Sequence, residues 1–117
     1  MKVAIVGSRD AAPAAARLIL KHLPADTTEI VSGGARGIDA LAESVATSLS
    51  LPVKVFLPDY ETFGRQAPLF RNRQIVEYAD CVLAFWDGVS TGTKSVIGMC
   101  MDTGKPLQVI SLKPKTE

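Results

Sequence analysis

Two patterns of hydrophobic positions alternate along the chain. Short apolar runs form one: Val3–Val6, Glu29–Ser32 with its central Ile30-Val31, Val53–Leu57, Cys81–Trp86 and Leu107–Leu112. Each has strand length, and most stop at Gly, Pro or Asp, as buried parallel strands do. The second pattern has helical spacing. From Arg36 to Leu49, the residues Ile38, Leu41, Ala42, Val45, Ala46 and Leu49 recur at three-and-four intervals and share one face. A first helix is predicted over Pro13–Leu23, with Pro13 in its first turn and Pro24 just beyond its end. A third helix begins near Pro68 and carries Arg71-Asn72-Arg73 near its start. A fourth follows Asp87–Lys94 and ends near Gly104. Between the third strand and third helix lies a ten-residue stretch, Pro58–Ala67, which reads as an unusually long loop. Residues 113–117 read as a polar tail.

Strands alternating with helices predict an α/β fold: a single Rossmann-like three-layer domain spanning 1–117, with a five-stranded parallel sheet. The predicted strand order is 3-2-1-4-5, which places a switch point between the first and fourth strands. Right-handed crossovers bring every strand's C-terminal loop to one edge. That edge gathers Gly7–Asp10, Ser32–Gly37, Pro58–Ala67 and Trp86–Lys94.

The sharpest chemistry on that edge is Ser32-Gly33-Gly34-Ala35-Arg36-Gly37-Ile38-Asp39. A strand, a glycine turn and a helix N-terminus together make a nest of backbone N–H groups suited to an anion. A cation in a helix's first turn opposes the dipole by about 0.3–1 kcal/mol. Arg36, Arg71 with Arg73, and Lys94 all do so on this reading, and Arg9 joins them after the first strand. A bound anion, taken to be a phosphate, would offset that repulsion. The alternative ties the cations to Asp10, Asp39, Asp59 and Asp87. The candidate phosphate-binding set is Gly7, Ser8, Arg9, Ser32, Gly33, Gly34, Arg36, Gly37, Arg71, Asn72, Gly92, Thr93 and Lys94. Asp87, Tyr60, Phe63 and Trp86 are candidates for sugar and base contacts. Three bland readings stand beside these: Asp39 simply satisfies a helix dipole, the Ser/Thr before the fourth helix are caps, and Trp86 packs in the core.

Composition narrows the field. The chain has 13 basic and 12 acidic residues, a net charge of +1, so a basic site must be local. Only 6% of residues are aromatic, which weighs against an extensive single-strand-binding surface. One histidine, His22, lies near the end of the first helix, away from the edge, and Cys81 and Cys100 sit in apolar contexts. No metal site, no Ser–His or Cys–His nucleophile and no cofactor is expected, and no catalytic residue is assigned. Neither a Walker A loop nor a dinucleotide G-x-G-x-x-G occurs. The N-terminal run reads as a strand rather than a signal segment, no stretch has spanning length, and the free cysteines suit a reduced, cytoplasmic setting.

Taken together, Gly7-Ser8-Arg9, the Ser32–Asp39 turn, Arg71-Asn72-Arg73 and Asp87-Gly88 with Gly92-Thr93-Lys94 resemble the SLOG superfamily, nearest to its small YspA/YpsA-related group. The resemblance spans nearly the whole chain and implies a nucleotide or nucleotide-derived ligand, sensed or handled at the strand C-terminal edge, and a homo-oligomer. Two relatives imply rival functions. Lonely Guy phosphoribohydrolases cleave nucleoside 5′-monophosphates and carry a glutamate after their Gly-Thr; Val96 stands at that position here. The DNA-processing protein A family shares the Gly-Ser-Arg and Ser-Gly-x-Ala-Arg-Gly-Ile-Asp stretches and binds single-stranded DNA. The sequence ranks nucleotide binding first, glycosidic cleavage second and DNA binding third.

Overall fold

A computed structural model describes residues 1–112. The expected polar tail lies outside them. Strands β1 (Lys2–Gly7), β2 (Glu29–Ser32), β3 (Val53–Val55), β4 (Cys81–Trp86) and β5 (Leu107–Ser111) form one parallel sheet in the order β3-β2-β1-β4-β5. The predicted order and parallel sheet are thus observed. The central pair is in register from Val3↔Cys81 to Gly7↔Phe85.

Alternation along the central strands divides the core between the two faces of the sheet. Val3 and Ile5 of β1, Ile30 of β2 and Leu83 and Phe85 of β4 pack against Ile19, Ile38, Ala42 and Val45. These helical residues belong to α1 (Ala15–His22) and α2 (Ile38–Ser48). Ala4, Val6, Val31, Val82 and Ala84 face the other way, toward Ile75, Val76, Val96 and Cys100. A short helix α3 (Tyr60–Phe63) precedes α4 (Ala67–Tyr78), and α5 (Thr91–Thr103) follows β4.

Several boundaries differ from expectation, each for a local reason. The first helix starts at Ala15, because Pro13 and Ala14 sit in tight i→i+3 turns, with Ala15 N donating to Ala12 O at 2.9 Å and Ala16 N to Pro13 O at 3.1 Å. α2 starts at Ile38, because Gly37 has φ 74° and ψ −127°, outside the helical region. β3 stops at Val55: its partner β2 ends at Ser32, so after Phe56 N reaches Ser32 O no ladder remains.

The stretch Pro58–Ala67 is not a loop. Asp59 caps α3, its Oδ1 accepting from Thr62 N at 3.1 Å, and a 3₁₀ turn over Gly64–Gln66 leads straight into α4. α4 therefore begins at Ala67, which places Arg71 and Arg73 in its second turn rather than at its positive end.

Candidate functional site

The chain leaves the C-terminal ends of β1 and β4 at the switch point, and a cleft of about 540 Å³ opens above them. Gly7, Ser8 and Arg9 come to it from β1, Gly33 and Arg36 from the turn after β2, Arg71 and Asn72 from α4, and Asp87, Gly92 and Thr93 from the start of α5. Other predicted residues lie elsewhere. Ser32 is fully buried below the turn, and Gly34 and Tyr60 line a neighbouring depression. Phe63 stacks on Phe70 with ring centroids 4.1 Å apart, and Trp86 donates its indole N–H to Ser90 O at 3.0 Å. Gly37, Phe63, Trp86 and Lys94 do not line the cleft.

Two amides of the glycine turn are satisfied from within. Ser32 Oγ accepts from Gly34 N at 3.1 Å and donates to Glu43 Oε2 at 2.9 Å. Asp39, on the first turn of α2, folds back so that Oδ2 accepts from Ala35 N at 3.2 Å. The nest expected to hold a phosphate thus already holds a carboxylate from its own helix. The glycines here serve close approach. A Cβ on Gly37 would fall 2.6 Å from Arg9 Cα, where the loop after β1 crosses and Ser8 O accepts from Ile38 N at 3.0 Å. A Cβ on Gly33 would lie 2.9 Å from both Asp39 Oδ2 and Arg71 Nη1.

Behind that turn, Arg71 is 9% exposed. Its Nη1 donates to Gly33 O and its Nε to Asn72 Oδ1 at 3.0 Å. Burial lowers the Arg71 pKa, an effect countered by the Asp39 carboxylate. Burial likewise raises the Asp39 pKa, against the pull of the Ala35 amide and the Arg71 charge. Arg71 is therefore in large part a strut between α4 and the glycine turn. Sequence reasoning missed Asp39 as the occupant of the nest. The signal was its position four residues after Ala35, within reach of the turn's amides.

Across the cleft the start of α5 is arranged differently. Asp87 Oδ1 accepts from Val89 N at 2.9 Å and Ser90 N at 2.8 Å, and its Oδ2 accepts from Ser8 Oγ at 3.1 Å. These amides hold the Asp87 pKa below its ordinary value. Ser90, the N-cap, makes no side-chain cap bond, so the amides of Thr91, Gly92 and Thr93 stay open at the cleft wall. Asn72 faces the same space. Because Arg71 Nε can only donate, it fixes Oδ1 as the inward atom. Nδ2, without a protein partner among the described residues and not fully enclosed, is left to the cleft. Among the described residues neither Arg9 nor Arg36 forms an ion pair, and both are exposed at the rim. The cleft therefore offers helix N-terminal amides, a side-chain amide donor and two free guanidiniums, a donor set suited to an anion.

Fold and cleft define a Rossmann-like α/β protein with a donor-lined cleft at its switch point. The sequence model of DNA recombination-mediator protein A matches residues 1–60, and the chain belongs to that family. Among solved structures, DNA processing protein A from Helicobacter pylori, described for its single-stranded DNA binding mode, aligns at 23% identity with a TM-score of 0.72, covering 100% of this chain and 68% of that one. DNA processing protein A from Streptococcus pneumoniae aligns at 20% identity with a TM-score of 0.75, covering 97% of this chain and 50% of that one. The chain thus spans between half and about two thirds of their length, and the likeness shows a shared fold. No curated protein matches it. The family match takes in the Arg9 and Arg36 side of the cleft and ends before Asn72 and Thr93. No helix among the described residues is long and apolar enough to cross a membrane.

Proposed function

We propose that the cleft binds the phosphate of a nucleotide unit, and that this unit belongs to single-stranded DNA. The observation that carries this reading is the uncapped N-terminus of α5, open beside Asn72 Nδ2 and below Arg9 and Arg36, none of these three side chains' outer groups having a partner among the described residues. The dipole and amides of α5 favour negative charge at that point. The arginines at the rim supply the charge neutralisation that a nucleic-acid backbone requires. Family membership and the single-stranded DNA mode named for the Helicobacter pylori protein favour a strand over a free nucleotide.

A free mononucleotide is the second reading, favoured by the cleft itself, which gathers the α5 N-terminus, Asn72 and the rim arginines around one cavity of about 540 Å³. Glycosidic cleavage draws less support. Val96 is 1% exposed and lines the cleft where the base-cleaving relatives would place a carboxylate.

Trp86 is the only tryptophan, and its indole is bonded to the residue that precedes α5, so its fluorescence reports on this wall. Titration with oligothymidylate should change that fluorescence with a steep dependence on salt, and thymidine 5′-monophosphate should compete weakly. Equal affinity for strand and monophosphate would favour the free nucleotide. No response to either would refute the phosphate site.

A further inference from the structure

A second depression, of about 290 Å³, adjoins the cleft on the side of β3 and shares Arg9, Arg36 and Arg71 with it. Its outer wall is Leu57, Pro58 and Tyr60. Leu57 is 67% exposed and Tyr60 59%, and core packing explains neither. Leu57 lies past the end of β3, where the sheet has no further ladder. Tyr60 opens α3, a helix with no buried residue, whose backbone is fixed by the Asp59 cap and so presents the ring without covering it. An exposed aromatic beside guanidiniums that form no ion pair among the described residues combines what a base and a phosphate each require.

Resting on the reading of the cleft as a seat for one nucleotide of a strand, we infer that this depression seats the adjacent nucleotide of the same strand. Tyr60 stacks on its base. Arg9 and Arg36, which border both cavities, grip the phosphodiester between the two units. The ligand the site recognises is then at least a dinucleotide step, which accounts for two arginines at the shared rim where one phosphate already has the α5 amides.

The test is competition against a fluorescein-labelled twelve-residue oligothymidylate, followed by anisotropy, with thymidine 5′-monophosphate and the 5′-phosphorylated thymidine dinucleotide as competitors. The dinucleotide should compete about tenfold better than the monophosphate or more. Tyr60→Ala should remove about tenfold of the dinucleotide's affinity, leave the monophosphate unchanged and be rescued by Tyr60→Phe. Circular dichroism of the variants checks that the fold is kept. Equal competition by the two ligands, or a Tyr60→Ala loss shared by both, overturns the second seat. Monophosphate binding retained while Tyr60→Ala leaves the dinucleotide untouched overturns it alone. Failure of every ligand to bind overturns the cleft reading with it.

Discussion

The turn after β2 and the turn before α5 look alike in the sequence. Both run small residues into a helix N-terminus, and both carry an aspartate and a basic residue. In the folded chain they behave as opposites. Asp39 follows its turn, lies on the first turn of α2 and reaches back to Ala35 N, so its own carboxylate occupies part of the nest. Asp87 precedes its turn and takes the amides of Val89 and Ser90, leaving the next three amides to the cleft. An acidic residue on one side of a turn closes it; on the other side it shapes the turn and leaves it open. The glycine-rich wall is thus held partly by its own side chains, while the plainer Thr-Gly-Thr wall leaves its first three amides open.

That contrast can be broken at its strongest point first. Gly37→Ala places a methyl against Arg9 Cα at a φ of 74° and should destabilise the free protein by about 2–4 kcal/mol, read from urea denaturation. Gly92→Ala, in the open wall, meets nothing within 4 Å and lies in a helix, so its stability should hold or rise slightly. Equal losses at the two glycines would erase the distinction between the walls.

Asn72→Asp tests the open wall by chemistry rather than shape. It keeps an acceptor for Arg71 Nε but replaces the free Nδ2 with a negative oxygen facing the ligand. Affinity for oligothymidylate should fall by tenfold or more, with little loss of thermal stability. Unchanged affinity would remove Asn72 from the site.

Arg36→Ala should have a smaller effect. Exposed and without an ion-pair partner among the described residues, it should lower affinity and flatten the dependence of log K on log salt by about one unit, while stability stays within about 0.5 kcal/mol. A clear drop in ligand-free stability would mean Arg36 belongs to the scaffold.

The smallest effect is in the pH profile, where the two aspartates should act with opposite signs. The Asp39 pKa is raised by burial, so the native state holds its proton more tightly than the unfolded chain. Its contribution is fully present below about pH 3.9 and is lost as pH rises through the native value. Asp87 is held low by the Val89 and Ser90 amides, so its contribution is present above about pH 3.9 and is lost as pH falls through the native value. Stability measured across the acid range should therefore lose a falling component in Asp39→Asn and a rising one in Asp87→Asn. Profiles displaced in the same direction would mean that burial does not dominate at Asp39.

Much of this molecule was legible before folding was considered. Unbroken apolar runs such as Val3–Val6 and Cys81–Trp86 have the length and bounds of buried parallel strands, and right-handed crossovers then bring four loops to one edge. The α3 turn was legible too, in the Asp59 cap three residues before Thr62, but the length of Pro58–Ala67 suggested a loop instead. Local sequence could not say which amides at the cleft were already taken. That depended on where Asp39 and Asp87 came to rest relative to their turns. The partner of Arg71 likewise lies 38 residues away, at Gly33. Sequence determined the fold and the edge, because periodicity and chain direction are local properties. Tertiary structure decided which donors remain free, because a hydrogen bond is satisfied or left open only once distant groups have met.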